Sequence, residues 1–122
     1  MIYVRIGDTL YPATVRGKIN DKDWDNRSSK AITLEMDYET AKNLFVDGLE
    51  WYITSIESVV ISQHEDENGE VVYETEDRTD EYDNSEYCVT GPITDNRDGT
   101  MTIKMGKLTE LEEAYEIMLG GI

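Results

Sequence analysis

The sequence predicts an α+β domain: a twisted, mostly antiparallel sheet of about six to eight strands, with two helices at about residues 38–46 and 110–119. Three observations carry this. Short segments alternating apolar and polar residues recur along the chain, bounded by Gly, Asn, Asp and Pro, the pattern of half-buried strands joined by turns. Two segments change to apolar spacings of three and four behind a capping residue, which marks helices. Neither a linker nor an internal repeat divides the chain, so residues 1–122 read as one domain, with an acidic hairpin and loop excursion at about 62–86.

The first strand is Met1 to Gly7, with Ile2, Val4 and Ile6 on one side. Gly7-Asp8-Thr9 turns the chain into a second strand, Leu10 to Ile19, whose Val15 and Ile19 face inward; Pro12 places its start at a sheet edge, where no amide donor is required. Asn20 to Lys30 is a polar loop, with Trp24 as a lid on the core. Ala31 to Met36 is a third strand. Asp37 then caps a helix whose stripe is Ala41, Leu44 and Phe45 and whose end is a left-handed Gly48. Leu49 to Glu57 returns as a strand with Trp51, Ile53 and Ser55 on one side.

From Ser58 to Asp77 the chain reads as a hairpin around a type I′ turn at Asn68-Gly69, followed by an acidic loop from Asp77 to Ser85. Glu86 to Ile93 is a strand closed by Gly91-Pro92, and Asp95 to Gly99 turns it into Thr100 to Met105, where Met101, Ile103 and Met105 share a face. Thr109 and Glu112 form a capping box for the last helix, with Leu111, Ala114, Tyr115 and Met118 as its apolar stripe and Gly120-Gly121 as its stop. Both helices are expected to pack on one face or at one end of the sheet.

Charge is the unusual quantity, at −16 overall. Residues 1–61 hold seven cations against ten anions, and residues 62–122 hold four against seventeen. The stretch from Gln63 to Glu86 alone holds eleven acids and one cation, Arg78. A field of this sign repels nucleic-acid backbones and anionic membranes and attracts basic surfaces, although solubility is the commoner reason for an acidic surface. The candidate partner-binding residues are therefore Glu65, Asp66, Glu67, Glu70, Glu74, Glu76, Asp77, Asp80, Glu81 and Asp83. Acids in the first turn of the last helix have a local explanation, since they complement the helix dipole.

Several chemistries find no support. One cysteine, Cys88, permits no internal disulfide, and its alternating surroundings suit a buried inert thiol better than a nucleophile. Asp21, Asp23 and Asp25 have the spacing of a calcium loop, but Asn26 stands where the turn needs glycine and Ile32 where a bidentate Glu is needed. His64 lies alone among carboxylates. There is no nucleophile elbow, phosphate-cradling loop or histidine pair, so the expectation is a protein with no enzymatic activity, no cofactor and no metal. No apolar run reaches membrane-spanning length.

The stretches YPATVRGKINDKDWDNRSSKAITL, ETAKNLFVDGLEWYI and ITDNRDGTMTIKMG resemble small proteins encoded in phages and prophages of Gram-positive gut bacteria. The resemblance covers most of the chain outside the acidic hairpin and brings no catalytic residues with it. It implies either an early protein that disables a host defence or a component of the particle, of the tail. Combined with the acidic hairpin, the leading expectation is an anti-CRISPR-like inhibitor in the host bacterial cytoplasm that mimics nucleic-acid charge in a basic groove of a host nucleic-acid-handling protein. The alternative is a tail-associated structural protein in the virion, whose partners are phage structural proteins or further copies of itself. A weaker alternative is a sponge for a signalling nucleotide, held by Arg5, Arg16, Lys18 or Arg27. None of these readings involves direct contact with nucleic acid or a membrane.

Overall fold

Alternation and turn chemistry fold the chain, described by the computed structural model over residues 1–120, into a seven-stranded sheet and two helices. The elements are β1 (Ile2–Ile6), β2 (Thr9–Asp21), β3 (Arg27–Glu35), α1 (Tyr38–Leu44), β4 (Tyr52–Glu65), β5 (Val71–Asp83), β6 (Val89–Asp95), β7 (Thr100–Gly106) and α2 (Glu110–Gly120). Every strand pairing is antiparallel and the strand order is β5-β4-β1-β2-β3-β7-β6. This is the expected α+β architecture.

One face of the sheet is apolar because the register aligns the right alternate residues. Val15, Ile32, Ile103 and Ile93 form one row across β2, β3, β7 and β6, and Ala13, Leu34 and Met101 form the next. Paired residues in antiparallel strands project to the same side, so the rows make a continuous surface. The core is Val4, Ile32, Leu34, Ala41, Phe45, Trp51, Met101, Ile103 and Met105. Helix α1 packs over β6 and β7 and inserts Ala41 and Phe45. Its start is fixed as expected, with the Asp37 carboxylate accepting from Thr40 N at 2.7 Å. It ends earlier, at Leu44, because Phe45 leaves the helical region at φ −92°, ψ 89° while its amide still closes the last turn on Ala41 O; Gly48, at φ +81°, belongs to the turn that follows.

Several boundaries differ from expectation. The loop at Asn20–Lys30 shrinks to the turn Lys22–Asn26, because β2 and β3 continue pairing out to Asp21 and Arg27. Its Trp24 is not the expected lid on the core: the indole lies over Gly91 and Gly106, on the face of β7 opposite Met105, so close that an added Cβ would come within 2.7 and 2.8 Å of the ring. Pro12 is not at an edge. β2 pairs with β1 up to Pro12 and with β3 from Ala13 onward, so the proline sits where the strand changes partners. Ile19 is 82% exposed, since a bulge between Lys18 and Asp21 takes it out of register.

Leu49–Glu57 and the first arm of the hairpin merge into one strand, β4 (Tyr52–Glu65), so the sheet has seven strands, within the expected six to eight. Asp77–Ser85 is not a loop: β5 runs to Asp83, pairing with β4 down to Tyr52. Gly91-Pro92 does not close a strand but occupies the bulge inside edge strand β6. Cys88 lies just before β6 and is half-buried.

Helix α2 departs most. Its capping box forms, with Thr109 N donating to Glu112 Oε1 at 2.8 Å and Glu112 N to Thr109 Oγ1 at 3.3 Å. Among the described residues no strand makes more than marginal contact with it, however, and Leu111, Tyr115 and Met118 of the expected inward stripe are 81%, 62% and 70% exposed. Its lateral anchor is Arg27, which donates to both Glu112 carboxylate oxygens, at 2.8 and 3.3 Å. Of the stop expected at Gly120-Gly121, Gly120 is still helical and Gly121 lies outside the described residues.

Candidate functional site

The acidic segment is a protruding two-stranded ribbon. β1 covers β4 only from Tyr52 to Ser55, and the last contact on that side is Met1, whose amino group donates to Ile56 O at 2.8 Å. Beyond Ile56, β4 has β5 as its only neighbour as far as the Glu65↔Val71 pair. Nine residues at about 3.3 Å each carry the ribbon roughly 30 Å past the sheet. From Glu57 to Thr79 every residue is exposed except the half-buried Val59.

Asp66 builds the tip. Its Oδ1 accepts from Asn68 N at 2.8 Å and Glu70 N at 2.9 Å, while Asp66 N donates to Glu70 O and Gly69 N to Asp66 O. Gly69 has φ +78° and Asn68 stays at negative φ, so the turn is not the expected type I′. It is a type I turn closed by a left-handed glycine, the arrangement that accompanies longer hairpin loops.

Register distributes the ten predicted acids over two faces. On β5, Glu74, Glu76 and Asp80 lie on the side of the sheet that carries Ile53 and Val4, while Asp77, Glu81 and Asp83 lie on the opposite side. A bulge between Val60 and Ser62 resets β4, which puts Glu65 with the second group. Glu67 and Glu70 flank the tip. The structure therefore brings the set onto one ribbon without gathering it into one patch.

Some of these acids are committed locally. Glu81 is held by Arg5, whose Nε lies 3.1 Å from both carboxylate oxygens, and accepts from Thr54 Oγ1 at 3.3 Å; the Arg5 hydrogen bond holds its carboxyl below the ordinary Glu value. Asp83 is lowered by its hydrogen bond with Ser85. Asp80 pairs with Arg78 at 3.2 Å, and Glu74 accepts from Ser62 Oγ at 3.1 Å. Among the described residues, Glu65, Glu67, Glu70, Glu76 and Asp77 make no side-chain hydrogen bond or ion pair. Sequence reasoning missed Glu57, which the register sets directly opposite Arg78 on the ribbon; the expected break between two strands hid it.

The cations considered for a nucleotide do not converge. Arg5 is engaged by Glu81, Arg27 by Glu112, and Lys18 lies 3.5 Å from Asp21. Asp21 itself is fully buried and receives Lys104 Nζ at 2.6 Å and Ser29 Oγ at 3.2 Å, so that Lys104 brings its pKa down to about 2. No group of three potential metal ligands is assembled among the described residues, and no helix among them is long and apolar enough to cross a membrane. Comparison with family models, curated proteins and solved structures returns no match in any of the three.

Proposed function

We propose that this chain is a phage-encoded acidic binding protein, acting without catalysis, that inhibits a host defence system in the manner of an anti-CRISPR protein. The β4–β5 ribbon is laid in a basic groove that otherwise holds nucleic acid, and its carboxylates substitute for phosphates. The observation that carries this reading is the ribbon itself: a narrow, exposed, doubly charged projection. Its charge density is informative. Eight acids lie on the projecting part from Glu57 to Thr79, over roughly 30 Å, or about one charge per 4 Å. Duplex DNA carries one per about 1.7 Å of axis and a single strand one per about 3.4 Å. The ribbon suits a channel for one strand better than one for a duplex.

The test is a competition assay with a purified, guide-loaded CRISPR nuclease and labelled single-stranded DNA. The protein should displace the DNA, less so as salt rises, because its contacts are charge pairs at an exposed surface. Replacing Glu65, Glu67, Glu74, Glu76 and Asp77 by their amides should abolish displacement, and Asp66 is left in place because it builds the turn. Full inhibition by this variant would defeat the mimicry reading.

The second reading is a tail-associated virion protein. It is favoured by the exposed Val60, Ile61, Val71 and Tyr73 on the same ribbon and by the unpaired outer edge of β5, features suited to docking by strand addition. Detection of the chain in purified particles would support it, and particles assembled normally without the chain would count against it.

A further inference from the structure

We infer that Asn68, at the ribbon tip, is a site of spontaneous covalent modification, where loss of ammonia and uptake of water convert its amide to a carboxylate. The step needs an asparagine whose Cγ can be reached by the main-chain nitrogen of the next residue. Glycine obstructs this least, since it lacks a Cβ and has the widest choice of backbone conformation. Asn68-Gly69 is the only Asn-Gly pair in the chain. Asn68 is exposed, its side chain makes no hydrogen bond among the described residues, and no heavy atom lies within 4 Å of where a Gly69 Cβ would stand.

The other five asparagines, Asn20, Asn26, Asn43, Asn84 and Asn96, each precede a residue with a side chain. Asn84 is 2% exposed with both ends of its amide bonded, to Lys30 and to Tyr82 O. Asn43 lies inside α1, and Asn96 Nδ2 is held by Thr100 and Thr102. At the tip a single hydrogen bond guards the attacking atom, with Gly69 N donating to Asp66 O at 3.0 Å. The turn sits at the end of an isolated two-stranded ribbon, so it opens locally without disturbing the sheet.

Once the turn opens, hydroxide removes the Gly69 amide proton and the nitrogen bonds to Asn68 Cγ. The Cγ–Nδ2 bond breaks, Nδ2 takes up a proton and leaves as ammonia, and a succinimide ring remains. Water then adds to either ring carbonyl. Opening at Cγ leaves an ordinary aspartate at position 68; opening at the main-chain carbonyl leaves an isoaspartate, with an added methylene in the backbone. Either product raises the eight carboxylates of the projecting part to nine. The isoaspartate also lengthens the main chain between the Asn68 and Glu70 amides, which Asp66 Oδ1 holds at 2.8 and 2.9 Å, and so undoes the turn.

The test is incubation of the full chain at mildly alkaline pH in heavy-oxygen water, native and in urea, followed by peptide mapping with mass spectrometry. An isoaspartate-specific methyltransferase detects the second product. Labelled acid at position 68 should appear before any at the other asparagines, and faster as pH rises. The native rate should lie no more than about tenfold below the urea rate, as suits an opening that breaks one turn hydrogen bond. Asp66→Ala, which frees the Asn68 and Glu70 amides, should close whatever gap remains. Earlier conversion at another asparagine, a native rate below that bound, or a gap that Asp66→Ala leaves open would overturn the inference. No partner enters the experiment, so its outcome is independent of the mimicry reading.

Discussion

The two hairpins at opposite ends of the sheet start from the same alternation and have different fates. In β6–β7, alternate residues on one face are Ile93 with Met101, Ile103 and Met105, and α1 lies across them. In β4–β5 beyond Ile56, the same face reads Glu57, Val59, Ser62 and His64 against Val72, Glu74, Glu76 and Arg78. Neither ribbon face is uniformly apolar, and no helix reaches it. Alternation alone makes two faces differ; burial requires an unbroken apolar row and a second layer above it. An isolated two-stranded ribbon is marginal in water, so the ribbon is the part of the sheet whose order depends most on what it touches.

Substitutions put this contrast to the test, the largest effect coming from the packed half. Trp51→Ala should cost about 3–5 kcal/mol in urea unfolding, because the side chain is fully buried and its Nε1 donates to Tyr87 O at 3.0 Å. Gly106→Ala should cost about 1–3 kcal/mol, since its Cβ would approach Arg27 Cδ at 2.7 Å and Trp24 at 2.8 Å. Gly69, which an added Cβ would leave unobstructed, is constrained only by its φ of +78°, so Gly69→Ala should cost about 1 kcal/mol and loosen the tip alone, as read by amide exchange. On the ribbon, Val60→Thr should change unfolding by less than about 0.5 kcal/mol. If Val60→Thr proved as costly as a core substitution, the ribbon would have to be covered in solution.

Acid titration separates the halves in another way. Lys104 holds Asp21 at about 2, below its ordinary 3.8, so folding is favoured by the ionised carboxylate. That contribution is present above about pH 4 and disappears as pH falls through 2. Stability measured from pH 5 downward should decline across this window, and Asp21→Asn should flatten the decline while lowering stability at neutral pH. An unaltered acid limb would mean that the Asp21–Lys104 pair does not form.

The sequence made some of this legible because local chemistry decided it. Asp37 and Thr109 are read from capping rules, Ala41 and Phe45 from helical spacing, and Met101, Ile103 and Met105 from alternation; all are where those rules put them. What stayed hidden depended on pairing. Asp77–Asp83 is poor in strand-forming residues and is held extended by β4, a partner that no local pattern announces. The split of the acids between two faces follows from register and from the bulge at Ile61, one residue that no turn signal marks. α2 has the spacing of a packed helix, but spacing does not say whether the cover comes from the same chain.

The turn at the ribbon tip closes entirely on its own atoms, with Asp66 accepting from Asn68 and Glu70 and nothing from the body of the sheet involved. Reach is therefore an adjustable property of this protein. Adding two residues to each arm would lengthen the projection by about 7 Å and keep every side chain on its present face, whereas adding one to each would exchange the faces of all residues beyond it. Paired insertions alone would change the length of the projection and leave the core as it is.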